Sequence, residues 1–306
     1  MRTAIRWLIP YFAVVVLASG GLAQEPEPAA GVELIYAVGA DLSFLKAAED
    51  RGVEFKDDGV VRPGLDIFRD HGYDWIRLRI FHTPTELPND LEYTIELAQE
   101  ARALGYRFLL DYHYADGWAD PQKQPIPAAW DTTDIGVLAD SVREWTAHTI
   151  RAFREAGVMP QMVQIGNEVR NGMLWPLGRL PENWDNFARL FEAGLEGIRD
   201  GRGTAPMPQI MLHYDNGADT EGAGALTGVG EEVLVLGQLA HEDGEQTGAL
   251  VVGQDHAVAL VLVHRLDHRA QEGPSPPVGG GAAGPEIRGA YPRRCSAATF
   301  QGLGGH

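Results

Sequence analysis

Glu168 follows Asn167 directly at the end of an apolar run, in QMVQIGNEVRNGMLWP (residues 161–176). Met162, Val163 and Ile165 have the make-up of a buried strand, and a carboxyl delivered at its end is placed for proton transfer. Asn167 beside it can hydrogen-bond a sugar hydroxyl. The pair suits glycoside hydrolysis. There a protonated carboxyl meets the leaving oxygen while a second carboxylate stands on the anomeric carbon, about 5 Å away if configuration is retained. Apolar surroundings raise one carboxyl's pKa so that it can act as the acid. The plain alternative is a surface Glu capping the next helix, and the buried strand leading into GNEV weighs against it.

A second run, DYHYADGWADP (residues 111–121), carries Asp111 and His113 on one strand face. Tyr114, Trp118 and, further on, Trp175 offer flat apolar faces against which a sugar ring can stack. Asp111, His113, Asp116 and Asp120 are also possible metal ligands, but the interleaved aromatics favour carbohydrate, and no metal is expected. In WIRLRI (residues 75–80), Arg77 and Arg79 share a face. Buried arginines need acidic partners, and Asp41 would serve.

These residues require elements that bring strand ends together. Residues 33 to 217 repeat one theme, an apolar run followed by a helical pattern closed by Gly, which argues for parallel βαβ units. The polar residues fall at the strand ends: Asp41, Arg79, His113, Glu168 and His213. In a (β/α)8 TIM barrel those ends converge on one mouth, where sites are built. The spacing predicts such a barrel, α/β in class, over residues 33–219, but with only about five of the eight units. From Thr220 the composition changes: Tyr291 and Phe300 are the only aromatics that follow. The apolar runs beginning near 233, 249 and 257 lie too close together for helical crossovers. Residues 220–306 are therefore expected to form an irregular tail that lacks the last three βα units and leaves two open sheet edges, a state prone to aggregation. The Gly-rich GGGAAG stretch fits a dinucleotide pattern only superficially, because Pro-rich sequence rather than a strand precedes it.

The N-terminus reads as an export signal over residues 1–23, with Arg2 and Arg6 ahead of an apolar core and small residues before Gln24. A Pro-rich lead-in spans 24–32. A secreted or periplasmic location and no stable membrane anchor are expected. The single Cys295 permits no internal disulfide, and the net charge of −18 with three lysines argues against a nucleic-acid partner. Oligomeric state is not legible.

Residues 36 to about 217 resemble glycoside hydrolase family 53, the arabinogalactan endo-β-1,4-galactanases. The matching pieces stand in family order: GADLSFLKAAEDRGVEFKDDG, GYDWIRLRI, LLDYHYADGWADPQKQPIPAAW, VQIGNEVRNGMLWPLG and IMLHYDNGAD. The resemblance implies a (β/α)8 barrel, a retaining mechanism, β-1,4-galactan as substrate and no cofactor for hydrolysis. It makes Glu168 the general acid/base and Asn167 the partner of the sugar 2-hydroxyl, with Trp118 and Trp175 along the cleft. Asp41, Arg77, Arg79, Asp111, His113, Tyr114 and His213 fall in with them as binding residues. The family nucleophile, a Glu after the seventh strand, has only Glu286 as a counterpart at about the right spacing, and no apolar strand leads into it. A change of reading frame near codon 220 accounts for that loss and for the missing sixth strand. Some bacterial relatives bind calcium in a late loop, which cannot be read here. Two other readings stay open: a galactan-binding protein without catalysis, and another retaining β-glycanase.

Overall fold

A computed structural model of the chain describes residues 35–130, 132–216, 226, 233–240, 246–252 and 258–264. The expected leader over 1–23, the lead-in over 24–32 and Glu286 lie outside the described residues. The first part of the chain runs β1 (Ile35–Asp41), α1 (Leu45–Asp50), β2 (Lys56–Asp57), β3 (Val60–Val61), α2 (Gly64–Asp70), β4 (Trp75–Ile80) and α3 (Leu91–Ala103). There follow β5 (Arg107–Tyr112), α4 (Ile135–Glu155), β6 (Met162–Ile165), β7 (Gly172–Met173), β8 (Gly178–Arg179), α5 (Trp184–Arg202) and β9 (Gln209–Tyr214). Three further strands complete the order: β10 (Val233–Ala240), β11 (Gln246–Val252) and β12 (Val258–His264).

The helices begin and end where the sequence provides the chemistry. Asp90 accepts from Tyr93 N–H at the start of α3, and Asp134 accepts from Gly136 and Val137 N–H at the start of α4. Gly72, Gly105 and Gly157 follow α2, α3 and α4 with positive φ, the left-handed stop that glycine adopts without a Cβ clash.

Strands β1, β4, β5, β6 and β9 are parallel neighbours, in register at Asp41/Arg77, Arg79/Asp111 and Asp111/Gln164. Alternation gives each strand two faces. The outer one is apolar: Ile76, Leu78, Leu110, Val163, Ile165 and Leu212 bury themselves against Leu97, Val142, Phe153, Phe187, Phe191 and Ile198 of the helices. Helices α4 and α5 pack closely enough that a Cβ on Gly197 would stand 2.6 Å from Arg143 O, and one on Gly201 2.6 Å from Ala147 O. The inner face carries the polar residues.

The five expected strands are present, four of them followed by helices among the described residues, but the two edges are not open. The sheet closes in the order β1-β12-β11-β10-β9-β6-β5-β4. Strand β10 runs parallel to β9, and β12 parallel to β1, while β11 is antiparallel to both of its neighbours. The runs too closely spaced for crossover helices pair instead as antiparallel neighbours, which tight connections allow. The expectation of a wholly irregular tail is corrected accordingly: three of its apolar runs are strands, and they cover the edges that would otherwise invite aggregation.

Candidate active site

Glu168 lies on a turn that the chain makes at some conformational cost. Gly166 has φ 81°, and Glu168 itself is left-handed at φ 52°, ψ 50°, leading into a short 3-10 turn over Val169–Asn171. A non-glycine residue in that region costs on the order of 1–3 kcal/mol and persists only where its surroundings hold it. Gly166 must be glycine for a second reason, because a Cβ there would meet Val169 Cγ1 at 2.6 Å.

Beneath the turn lies a buried polar net centred on Arg77. Its guanidinium donates to Asp41 Oδ2 at 2.6 Å, to Gln164 Oε1 at 3.2 Å and to Asn167 Oδ1 at 2.8 Å, and meets Asp111 Oδ2 at 2.6 Å. Arg79 shares Asp41 at 2.9 Å, and Ser43 donates to the other oxygen of Asp41 at 2.6 Å. Gln164 donates to Asp111 Oδ1 at 2.5 Å and to Gly166 O at 2.9 Å. Arg77, Asp41 and Asp111 are thus each matched by an opposite charge and by neutral dipoles, which offsets the cost of burying ions, while Arg79, paired with Asp41, is held below its ordinary pKa by burial. Asp111 is held below its ordinary pKa: burial alone would raise it, and Arg77 and His113 more than offset that.

Two histidines flank the net, and both are held neutral by burial. His113 Nδ1 accepts from Ala119 N–H at 3.1 Å, which leaves the proton on Nε2, 3.1 Å from Asp111. His213 is pushed down to about 3 by burial and by Arg77. Its Nδ1 lies 3.0 Å from Asn167 Oδ1 and 3.3 Å from Glu168 N. Accepting from Glu168 N–H, Nδ1 of the neutral ring has no proton for Asn167 Oδ1, so Asn167 is oriented by Arg77 at Oδ1 and by its Nδ2 donating to Ala119 O at 2.9 Å.

Against this ordered base, Glu168 stands out as a carboxyl that holds its proton unusually well. Its pKa is raised to about 7, first by burial and then by the negative charge of Asp215, with Arg77 opposing. Asp215 is anchored to Arg170 at 3.3 Å. A carboxyl that keeps its proton near neutrality can deliver it to a leaving oxygen.

The half-buried Trp118 and Trp175 supply the aromatic faces. The Arg79 guanidinium stands 4.6 Å from the centre of the Trp118 ring, and that of Arg179 stands 4.6 Å from Trp175. Trp175 is fixed by Nε1 donating to Asn171 O at 2.8 Å.

Of the residues expected in the site, the structure brings together Asp41, Arg77, Arg79, Asp111, His113, Asn167, Glu168 and His213. Several change role. Asp111 is 0% exposed and the His113 side chain equally so, so they orient Arg77 and Gln164 rather than touch a sugar. Asp41 is the acidic partner expected for the two arginines: it pairs with both, and all three are buried. Tyr114 is corrected outright. It is 1% exposed, stacks on Tyr112 and bonds Thr146 Oγ1 at 2.8 Å, on the outer face against α4. The metal alternative also divides: Asp116 accepts from Thr83 and Ala128 N–H, while Asp120 accepts from Gln122 N–H and Lys123 N–H, well apart in role from Asp111 and His113. Among the described residues no group of three or more His, Cys, Asp or Glu is arranged to hold an ion.

Three contributors went unnoticed in the sequence. Gln164 was legible in principle, as the one polar residue on the inner face of a strand otherwise apolar. Asp215 follows His213 by two positions, and its acidity beside Glu168 was the available signal. Gln124, 2% exposed, reaches the turn from a loop 43 residues away, and nothing local announces it.

The model of Glycosyl hydrolase family 53 matches residues 37–228. A probable arabinogalactan endo-beta-1,4-galactanase A of Aspergillus terreus is 42% identical over 193 residues, covering 63% of this chain and 54% of that protein. An arabinogalactan endo-beta-1,4-galactanase of Thermothelomyces thermophilus is 39% identical over 182 residues, covering 59% and 54%. Among solved structures, one of two fungal beta-1,4-galactanases superposes with a TM-score of 0.60 at 36% identity, over 63% of this chain and 57% of that one. The GH53 catalytic domain of Ignisphaera aggregans does so with a TM-score of 0.60 at 31% identity, over 68% and 61%. The chain spans about half the length of the curated relatives it matches.

Proposed function

The chain belongs to glycosyl hydrolase family 53, and on that premise we propose that it is an endo-β-1,4-galactanase. The observation that carries the reading is Glu168: a strand-end carboxyl raised to about 7, beside an Asn167 held by Arg77 at its oxygen and by Ala119 O at its nitrogen. Glu168 donates its proton to the glycosidic oxygen as the bond to the anomeric carbon breaks, then withdraws a proton from the attacking water. Asn167 offers its amide to the sugar beside the cleaved bond, and Trp118 and Trp175 take the flat faces of galactose units on either side.

The reaction retains configuration through a second carboxylate about 5 Å from Glu168. Glu286 is the candidate by spacing, and it lies outside the described residues. Two carboxyls and water balance the chemistry, so hydrolysis draws on no cofactor. The partner is galactan, reached after export by the N-terminal leader.

Reducing-sugar release from β-1,4-galactan by the full chain tests the proposal. Glu168→Gln should lower kcat by at least about 100-fold while leaving oligosaccharide affinity in place. A wild-type chain that binds galactan without cleaving it would move the assignment to a non-catalytic binder. Faster release from mannan or cellulose would move it to another retaining β-glycanase.

A further inference from the structure

The turn that carries Glu168 is gripped along its whole length by the loop after β5. Asn167 Nδ2 donates to Ala119 O at 2.9 Å, Asn171 Nδ2 to Pro121 O at 2.8 Å, and Trp175 N–H to Gln124 O at 2.7 Å. The side chain of Gln124 makes the innermost contact. Its amide has two hydrogens. One goes to Asp120 O at 3.1 Å in its own loop, which fixes the side chain. The other goes to Asn167 O at 2.8 Å, with Glu168 O at 3.5 Å.

The Asn167 carbonyl belongs to the peptide that joins Asn167 to Glu168, and the rotation of that plane sets the left-handed φ of Glu168. The same peptide's N–H lies 3.3 Å from His213 Nδ1. One plane is therefore held at its oxygen by Gln124 and at its nitrogen by His213. Glu168 does not favour this conformation by itself, so the grip must come from outside the turn. On the reading of the chain as a galactanase, we propose that Gln124 is a positioning residue: its side chain aims the Glu168 carboxyl through the Asn167–Glu168 peptide, while its backbone carbonyl registers Trp175 against the same turn.

The division between side chain and backbone gives the test. Gln124→Met keeps the length and removes the donors, yet leaves the carbonyl that holds Trp175. On galactan, kcat should fall by about 100-fold, the scale of a misplaced catalytic group, while KM stays within about two-fold. An unchanged kcat, or a KM that rises in proportion to the loss, overturns the proposal. Gln124→Glu is the second variant. It donates only when protonated, so its kcat should recover as pH falls relative to wild type, and a profile parallel to wild type overturns the proposal. If the wild-type chain shows no turnover, the galactanase reading fails by itself. Gln124 is then judged by a carbon-13 NMR titration of Glu168, assigned by its loss in Glu168→Gln. In Gln124→Met the midpoint should drop toward the ordinary carboxyl range as the turn opens to water, and an unmoved midpoint overturns the role.

Discussion

Two arginines in this barrel make almost the same contacts and hold very different positions. Arg77 meets Asp41 and Asp111, each at 2.6 Å, inside the sheet. Arg143 on α4 meets Glu196 at 2.6 Å and Asp200 at 2.8 Å on α5, with every member of the cluster more than 40% exposed. Distance does not separate them; solvent does. Water already satisfies Arg143 and both of its carboxylates, so joining them gains little. Arg77 and its two carboxylates are buried, so solvent screens them little, and removing one member leaves buried charge with less compensation. The inner cluster also holds Asn167, so its geometry reaches the chemistry. The outer one only joins two helices that Gly197 and Gly201 already allow to pack closely.

The comparison can be broken at its strongest point first. Arg77→Met should cost about 3–5 kcal/mol of stability in urea unfolding, because Asp111 loses its arginine partner in a buried site and Asp41 is left with Arg79 alone. A loss no larger than that of a surface variant would show that the inner cluster is wetter than its burial implies.

A smaller effect, of opposite sign, belongs to Glu168. Its folded pKa, about 7, stands above the ordinary value near 4.5. The protonated form is the one the fold accommodates, so its stability is fully present below about 4.5 and is lost as pH rises through 7. Glu168→Gln removes that loss. It should be more stable than wild type by about 1–3 kcal/mol at pH 8.5, after allowance for the partly open face of the site, and no more stable at pH 4. Thermal unfolding at the two pH values checks both halves. At the bottom of the scale, Arg143→Met should leave the urea midpoint within error. A clear drop would mean that the α4–α5 seam depends on its charges.

What the sequence disclosed follows the same division between inside and outside. Alternation along β4 and β5 is enough to bring Arg77, Arg79, Asp111 and His113 to one interior, and the Gly stops after α2, α3 and α4 are local chemistry. The same alternation that turns Asp111 and His113 inward turns Tyr112 and Tyr114 outward, so Tyr114 was misplaced by attending to its ring rather than its parity. Burial was the other gap. A polar residue at a strand end can touch a substrate or another side chain, and spacing does not say which. Asp111 and His113 serve other side chains. Gln124 was out of reach because its contact joins two loops that only the folded barrel brings together. The closing strands were visible as apolar runs, but the expectation of βα units hid the simpler solution of adjacent antiparallel pairing.

That pairing has one further consequence, which concerns direction. Strand β12 runs parallel to β1, and its last residue, His264, pairs with Gln246 at the start of β11. The strand therefore leaves the sheet on the rim where Asp41 ends β1 and Glu168 follows β6. Had the last strand been antiparallel to β1, the chain would have departed from the floor of the barrel. As built, β12 ends at His264 on the same rim as Asp41 and Glu168, so both ends of the closing seam share the polar mouth of the barrel.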